Sequence, residues 1–438
     1  MWARRDRGVV FILAVFAVAL LSVLAVAITA AVRVELRAAR TSLERVQALF
    51  LAQAGLAQAR AVLLYDDRTL DTLYDDWGPL AADPLEAPHR LGDGFWRVRV
   101  QDACGRININ TADPETLLAL TGDPEVAGAI LEWRDAGSVA GQEYYESLPY
   151  PYLPRRGPFQ TPGELLLVRG VTPDLYFGRD GWPGLAHLVT VEGLSPNVDA
   201  EGRLRVGLNE FRNWGEEAFR KSVLARLENA LSEYEAGLIF NGLIQLSTPG
   251  EGYTSLAQLA TVAGLSYDAI GRIADLMTVE PGIAVSGRVN VNTAPAEVIA
   301  ALPGGSVELG MAFVERRQVQ PFATLGEVMQ FLLEQPNGPE LFARMIDRVD
   351  AKSSSYIIEA MGYTEEGRTF RTLWALVRRS AHGVEVVQQT EVDWPLPPWS
   401  RADRRTVASL AEQGRQSPTG WPEVRRSRVA RAQRAGQH

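Results

Sequence analysis

The sequence holds a single cysteine, Cys104, and only two lysines, Lys221 and Lys352, among its 44 basic residues. One cysteine excludes an internal disulfide framework and a thiolate metal cluster. Four scattered histidines are too few to suggest a zinc site. There is no G-x-S-x-G, no Walker loop and no H-E-x-x-H, and Cys104 has no local partner that suggests an active nucleophile. The chain therefore reads as a structural protein and not an enzyme. A basic body is missing too. Residues 1–8 sum to +2 and residues 401–438, with nine arginines and three acids, to +6; the total of −9 leaves −17 for residues 9–400. An acidic body disfavours a nucleic-acid surface. What is present is ordinary folded composition, 46% hydrophobic and 22% charged, in 438 residues, enough for two or three domains.

Near the N-terminus Val9 to Val32 runs 24 residues without a charge. As a helix it spans roughly 36 Å, enough to cross a bilayer. Arg4, Arg5 and Arg7 precede it, which places the N-terminus in the cytoplasm and the rest across the membrane. A cleaved signal peptide has a shorter apolar region, so an anchor is the better reading. The helical pattern continues past the anchor through Leu36, Ala39, Leu43, Val46, Phe50, Ala54, Ala57, Ala61 and Leu64. Residues 66–94 are rich in Asp, Pro and Gly and read as loop. Strands are expected at 95–103, 353–363, 369–380 and 384–392, with turns at 364–368 and 381–383. The first of these is expected to pair with the late ones, which makes 104–350 an insertion. That insertion is mostly helical by pattern, for example over 216–244. The tail from Trp394 lacks apolar periodicity and reads as disordered.

An internal repeat organises the insertion. "GRININTADPET" (105–116) returns as "GRVNVNTAPAEV" (287–298), so that Asn108, Asn110 and Thr111 match Asn290, Asn292 and Thr293. The threonines stand where a helix N-cap is expected, and the asparagines where side chains tie a tight turn. "GPFQTPGELLLVRGVT" (157–172) is echoed by "QPFATLGEVMQFL" (320–332) and "EGYTSLAQLATVAGLS" (251–266); "GRLRVGLNEF" (202–211) is a worn copy of the opening phrase. About two helical modules are expected. The phrase and the "LPGG" that follows its second copy are similar to helix-hairpin-helix sequences. A DNA-binding hairpin offers amides to phosphate beside basic residues. Here Asp123, Glu125 and Glu308 occupy those positions, so the phrase reads as structural.

A basic leader ending in Gly8, with an apolar helix starting at Val9 and running on into an amphipathic half, resembles type IV pilins and pseudopilins. Together with "FWRVRVQDACGRININTADPETLLAL" and "GRVNVNTAPAEVIAALPG", it resembles the minor pseudopilin K family of type II secretion systems (general secretion pathway protein K) from Arg4 to about Val392. Relatives carry a glutamate five residues after the leader cut; this chain has Leu13 there, as the K family does.

The resemblance implies an α+β fold. A long transmembrane and amphipathic helix (9–65) packs on a small antiparallel pilin-like sheet (66–103 and 351–393). A helix-hairpin-helix or SAM-like domain of two or more repeat modules (104–350) is inserted in that sheet, a prepilin leader (1–8) precedes the helix and an Arg-rich tail (394–438) ends the chain. It implies cleavage by prepilin peptidase between Gly8 and Val9, with methylation of Val9. It implies a single-pass inner-membrane location with the globular part in the periplasm. The implied partners are the I- and J-type minor pseudopilins, met through small residues such as Ala38, Ala39, Ala52, Gly55 and Ala57, together with the inner-membrane secretion platform and exported substrates. The role is to cap and initiate the pseudopilus tip; a membrane-anchored DNA receptor of the competence type is the alternative. The family also implies calcium in the acidic loop 132–146, with Asp135 and Glu143 as candidate ligands.

Overall fold

The computed structural model describes residues 5–82, 84–138, 141–179, 183–209, 215–246, 253–261, 265–364 and 369–392. The turn expected at 364–368 and the tail from 394 fall almost wholly outside these residues. The chain opens with α1, Arg5–Tyr65, one unbroken helix of 61 residues and roughly 90 Å. Its apolar run, Val9 to Val32, is exposed along its whole length. From Ala48 onward the helix lies on a sheet and buries Ala48, Leu51, Ala52, Gly55, Leu56, Ala59 and Leu63, spaced three and four apart.

The apolar stripe read from the sequence is therefore the opposite face. Leu36, Leu43, Val46 and Phe50 are 64%, 69%, 51% and 64% exposed. The helix has two apolar faces, and the one rich in small residues can approach a sheet closely. Ala52 and Gly55 are used there, not on a companion helix, whereas Ala38, Ala39 and Ala57 stay exposed.

Beyond α1, residues 66–88 form turns that lead to β1 (His89–Leu91) and β2 (Gly94–Asp102). β1 corrects the reading of 66–94 as loop. Three residues are too few for an alternation to show, and its anchor is a stack of His89 on Trp96 across the hairpin, with ring centroids 4.3 Å apart. The insertion then contains three parallel strand pairs, not two modules' worth: β3 (Ile107–Asn108) with β4 (Val189–Thr190), β6 (Val206–Gly207) with β7 (Met277–Thr278), and β9 (Val289–Asn290) with β10 (Val349–Asp350). Between the pairs β5 (Leu194–Pro196) runs antiparallel to β8 (Ala284–Ser286). The segment 216–244 is helical as expected, in two helices, Glu217–Ala230 and Glu233–Leu246. Ser232 separates them: its hydroxyl accepts from the Glu235 amide, and Glu235 accepts in return from the Ser232 amide and hydroxyl, a capping box.

The chain returns as β11 (Ser355–Thr364), β12 (Phe370–Ser380) and β13 (Gly383–Val392). The sheet order is β1-β2-β11-β12-β13, antiparallel throughout, so β2 sits beside a strand some 250 positions later. Tyr356, Ile358, Ala360, Leu373, Ala375 and Val377 alternate onto the face that meets α1. This makes one apolar core; the insertion makes a separate, larger one.

Gly362 marks the closest approach of helix and sheet. A Cβ there would lie 2.1 Å from the Ala48 carbonyl oxygen and 2.4 Å from the Ala52 amide nitrogen, both backbone atoms. Gly362→Val is expected to lower stability by about 1–3 kcal/mol or more, as overpacking does. The measurement is the denaturation midpoint of the full chain in detergent; an unchanged midpoint would show that helix and sheet are not in this contact.

Candidate functional site

Each module of the insertion is closed by one asparagine. Asn110 accepts from the Phe159 amide (2.7 Å) and donates to the carbonyls of Phe159 and Val191. Asn292 accepts from the Phe322 amide (2.9 Å) and donates to Phe322 and Ala351. Asn209 does the same to Tyr253 (2.8 Å) and Val279. An amide side chain suits this work because it carries both an acceptor and two donors. The worn phrase at 202–211 thus supplies a full third module. The signal for it was the pair "HLVTVEG" and "LMTVEPG", whose Thr190 and Thr278 hydroxyls bond the carbonyls of Glu192 and Glu280.

Thr111 and Thr293 are not N-caps. Asp113 caps the helix Pro114–Thr121, and Pro295 precedes the helix Ala296–Ala300. The threonines serve docking between modules one and three, and they do so reciprocally. A Cβ on Gly287 would strike Thr111 Oγ1 at 2.2 Å, and one on Gly105 would meet Thr293 Oγ1 at 2.9 Å. Asn108 donates to Ser286 (3.2 Å), while Asn290 and Thr293 donate to Asp102 at 2.9 and 2.6 Å. The duplicated glycine and threonine therefore fit each copy against the other, a contact that sequence spacing does not reveal.

Where the stem meets this head, three carboxylates converge. Arg379 on β12 donates to Asp66 at 3.2 Å and to Asp71 at 2.5 Å. Trp77 also donates to Asp66, and Tyr356 to Asp71. The Ser353 amide reaches Asp71, and Asn290 donates to the Asp71 carbonyl. Asp75 completes the group. Burial pushes the Asp66 carboxyl up to about 7, and its neighbours Asp75 and Asp71 add to this against the pull of Arg379. Burial likewise raises Asp75 and Asp102 to about 6. Three such carboxylates could hold a cation, but here the Arg379 guanidinium is the cation.

A second buried ionic cluster joins modules two and three. Arg205 pairs with Asp350 at 2.7 Å and Asp275 at 3.0 Å, and Lys352, one of the two lysines, lies 3.4 Å from Asp275. Burial works against a charged Asp350, yet Arg205, Arg288 and Lys352 outweigh it and hold the carboxyl at about 2.

The expected calcium ligands do not assemble. Asp135 is exposed, with one carboxylate oxygen accepting from the Gly137 amide at 2.9 Å, and Glu143 is exposed in the helix Gln142–Glu146. Neither belongs to a group of three convergent ligands among the described residues, whereas calcium takes six to eight oxygens. An open cleft of about 470 Å³ beside Asp135 is lined by Asn110, Glu132, Arg134 and Ser138. Cys104 is buried, its thiol donates to the Leu194 carbonyl, and burial raises its pKa. The hairpin positions that could bind phosphate are filled from within: Asp123 accepts from the Glu125 amide and Ser306 from the Leu309 amide. Gly8, Val9 and Leu13 lie on the first turns of α1, and the Leu13 side chain is 61% exposed.

Two family models match the chain, both described as type II secretion system (T2SS), protein K. One covers residues 115–178, in the first module, and the other residues 289–347, in the third. A search of curated proteins finds no match. Among solved structures the chain is similar to one in the crystal structure of the GspK-GspI-GspJ complex from the enterotoxigenic Escherichia coli type 2 secretion system. The identity is 13% and the TM-score 0.45, over 81% of this chain and 99% of that one. Both matches are to the type II secretion system protein K family and fall on two modules that lock onto each other; they support a K-type minor pseudopilin.

The carboxylates at the stem–head joint give a pH dependence. Asp66, at about 7 in the fold, lies well above the ordinary carboxylate value of roughly 3.9 that applies to the unfolded chain. Between those values the folded state binds more protons, so stability falls as pH rises through that window. The urea midpoint of the full chain in detergent is expected to be higher at mildly acidic than at mildly alkaline pH. Asp66→Asn is expected to flatten that slope; an unchanged slope would exclude Asp66 as its source.

Proposed function

We propose that the protein caps the tip of the pseudopilus, together with I- and J-type minor pseudopilins, and starts its assembly. The observation that carries this reading is the second apolar face of α1. One helix has an exposed apolar run, a face docked on its own sheet, and an opposite face at Leu36, Leu43, Val46 and Phe50 that nothing among the described residues covers. That third surface suits parallel helices of companion subunits, with Ala38 and Ala39 allowing close approach.

In this reading prepilin peptidase cuts between Gly8 and Val9 and leaves α1 in the inner membrane, with the globular part in the periplasm. Leu13 then stands where filament subunits carry a glutamate. A carboxylate at membrane depth is costly unless paired, for example with the terminal amine of a subunit above. A subunit with nothing above it lacks that partner, and leucine suits it. The three-module head adds bulk against further stacking.

Mass spectrometry of the purified chain is expected to find methylated Val9 at the mature N-terminus; an intact Met1 would overturn the processing. Phe50→Ser with Val46→Ser is expected to weaken co-purification with I- and J-type companions by tenfold or more. The unfolding free energy of the isolated chain should stay within about 0.5 kcal/mol of wild type, as for exposed positions. Undiminished co-purification would remove this face from the interface.

A further inference from the structure

We propose that residues 148–155 of the first module, "LPYPYLPR", are a docking ridge for a second protein, which takes them in a groove lined by aromatic side chains. The segment packs on the core of the insertion and not on α1, so it is a surface separate from the stem. Covalent sterics set its shape. Pro149, Pro151 and Pro154 fix their own φ at about −65°. Leu148, Tyr150 and Leu153 each precede a proline, which keeps them out of the helical region. Only Tyr152 in this run escapes both restraints. No helix or strand includes 148–155, and no hydrogen bond among the described residues engages the backbone of these positions, the condition of a polyproline II chain. Arg156, with a φ of 53°, ends the run.

Such a chain has about three residues per turn, so positions three apart share an edge. Tyr150 and Leu153 form one edge, 89% and 67% exposed, and Tyr150 is the most exposed large apolar side chain among the described residues. Pro151 beside them is exposed as well. The other side is turned inward. Pro154 is buried, and Tyr152 donates to the Leu167 carbonyl at 2.7 Å. The Tyr152 ring packs on Tyr145 and Trp133, with centroids 5.4 and 6.4 Å apart. Trp133 stacks in turn on Phe159, the residue gripped by Asn110. The inner side of the ridge is therefore already held by aromatic rings of its own module. The outer edge offers a tyrosine, a proline, a leucine and free carbonyls to the same kind of contact from outside, which is how aromatic grooves take polyproline ligands. Tyrosine is a residue type that dominates interfaces, and a segment already rigid loses little entropy on binding. Charge narrows the partner further. From Ser147 to Gly163 the chain carries Arg155 and Arg156 and no acid, in a body of −17. Arg155 is paired with Glu164 at 3.3 Å, but Arg156 bonds the neutral side chain of Gln142, so the groove is expected to carry a carboxylate on its rim.

The test places the photoreactive residue p-benzoylphenylalanine at position 150 of the full chain, in cells that carry the whole secretion system. Mass spectrometry identifies the adduct and its point of attachment. One protein adduct is expected, attached within a patch of aromatic residues. Leu153→Ser, which removes the other half of the edge, should lower its yield at least fivefold. Pro149→Ala with Pro151→Ala, which keeps Leu153 but frees the backbone, should lower it by about fivefold. Leu153 is exposed, so the denaturation midpoint should not move; if it does, Leu153→Gln is the second variant, with the same loss of yield expected. No adduct, an adduct to lipid or to a second copy of this chain, or an attachment point without aromatic neighbours would overturn the proposal. So would a yield that both substitutions of Leu153 leave unchanged. Co-purification with I- and J-type companions should be untouched by Leu153→Ser; its loss would place the segment in the stem interface and overturn the separate groove.

Discussion

Arg379 is the residue on which the geometry of the molecule depends. Its guanidinium lies on the sheet and bonds Asp66, one residue past the end of α1, and Asp71, whose other contacts run to Ser353 and Asn290 at the head. Stem, sheet and insertion meet around this buried cation, with Asp102 of β2 accepting further hydrogen bonds from Asn290 and Thr293. The two apolar cores on either side are separate, so hydrophobic burial stabilises each body without fixing one against the other. Directional hydrogen bonds do that. A buried ionic joint is weak evidence for net stability, because desolvation offsets much of the attraction, but breaking it by removing one partner is costly. Its contribution here is orientation.

The head repeats the same logic on a smaller scale. Each module is shut by an asparagine that grips both backbone atoms of one aromatic residue, a contact that leaves the aromatic ring free to enter the core. Modules one and three then lock by glycine against threonine in both directions. Modules two and three are joined instead by Arg205 with Asp275 and Asp350. The duplicated phrase is therefore an interface motif as well as a turn motif, which explains why both its halves occur twice. It also explains why the phrase lacks basic residues at the hairpins: their amides are already occupied by Asp123 and Ser306.

Much of this was legible from local pattern. The long apolar helix, the late strands and the pairing of β2 with them follow from periodicity and from the position of the repeat. The asparagines were legible as structural residues. What escaped was whatever depends on a non-local partner. The stripe of leucines on α1 has good helical spacing, but spacing cannot say which of two apolar faces meets the sheet; the small residues at 48, 52, 55 and 59 decide it by allowing contact. Asp66 and Asp71 looked like loop composition because their shared partner, Arg379, lies some 310 positions away. The threonine caps were misplaced by two residues, since Asp113 offers a better acceptor in the same turn.

Rigidity at the joint matters because of what lies below it. The part of α1 that touches nothing else among the described residues extends from Val9 to about Leu43, a lever of roughly 50 Å. A small rotation at the base of such a lever becomes a large displacement of the head. The structure resists that rotation at two heights. Gly362 seats the helix backbone against the sheet at Ala48 and Ala52, and Arg379 holds the helix end about eighteen residues further on. Two separated attachments fix a rod's direction where one would leave it free to pivot. The lower attachment is steric, with a hydrogen bond from Thr369 to Glu44 beside it, and the upper one is ionic.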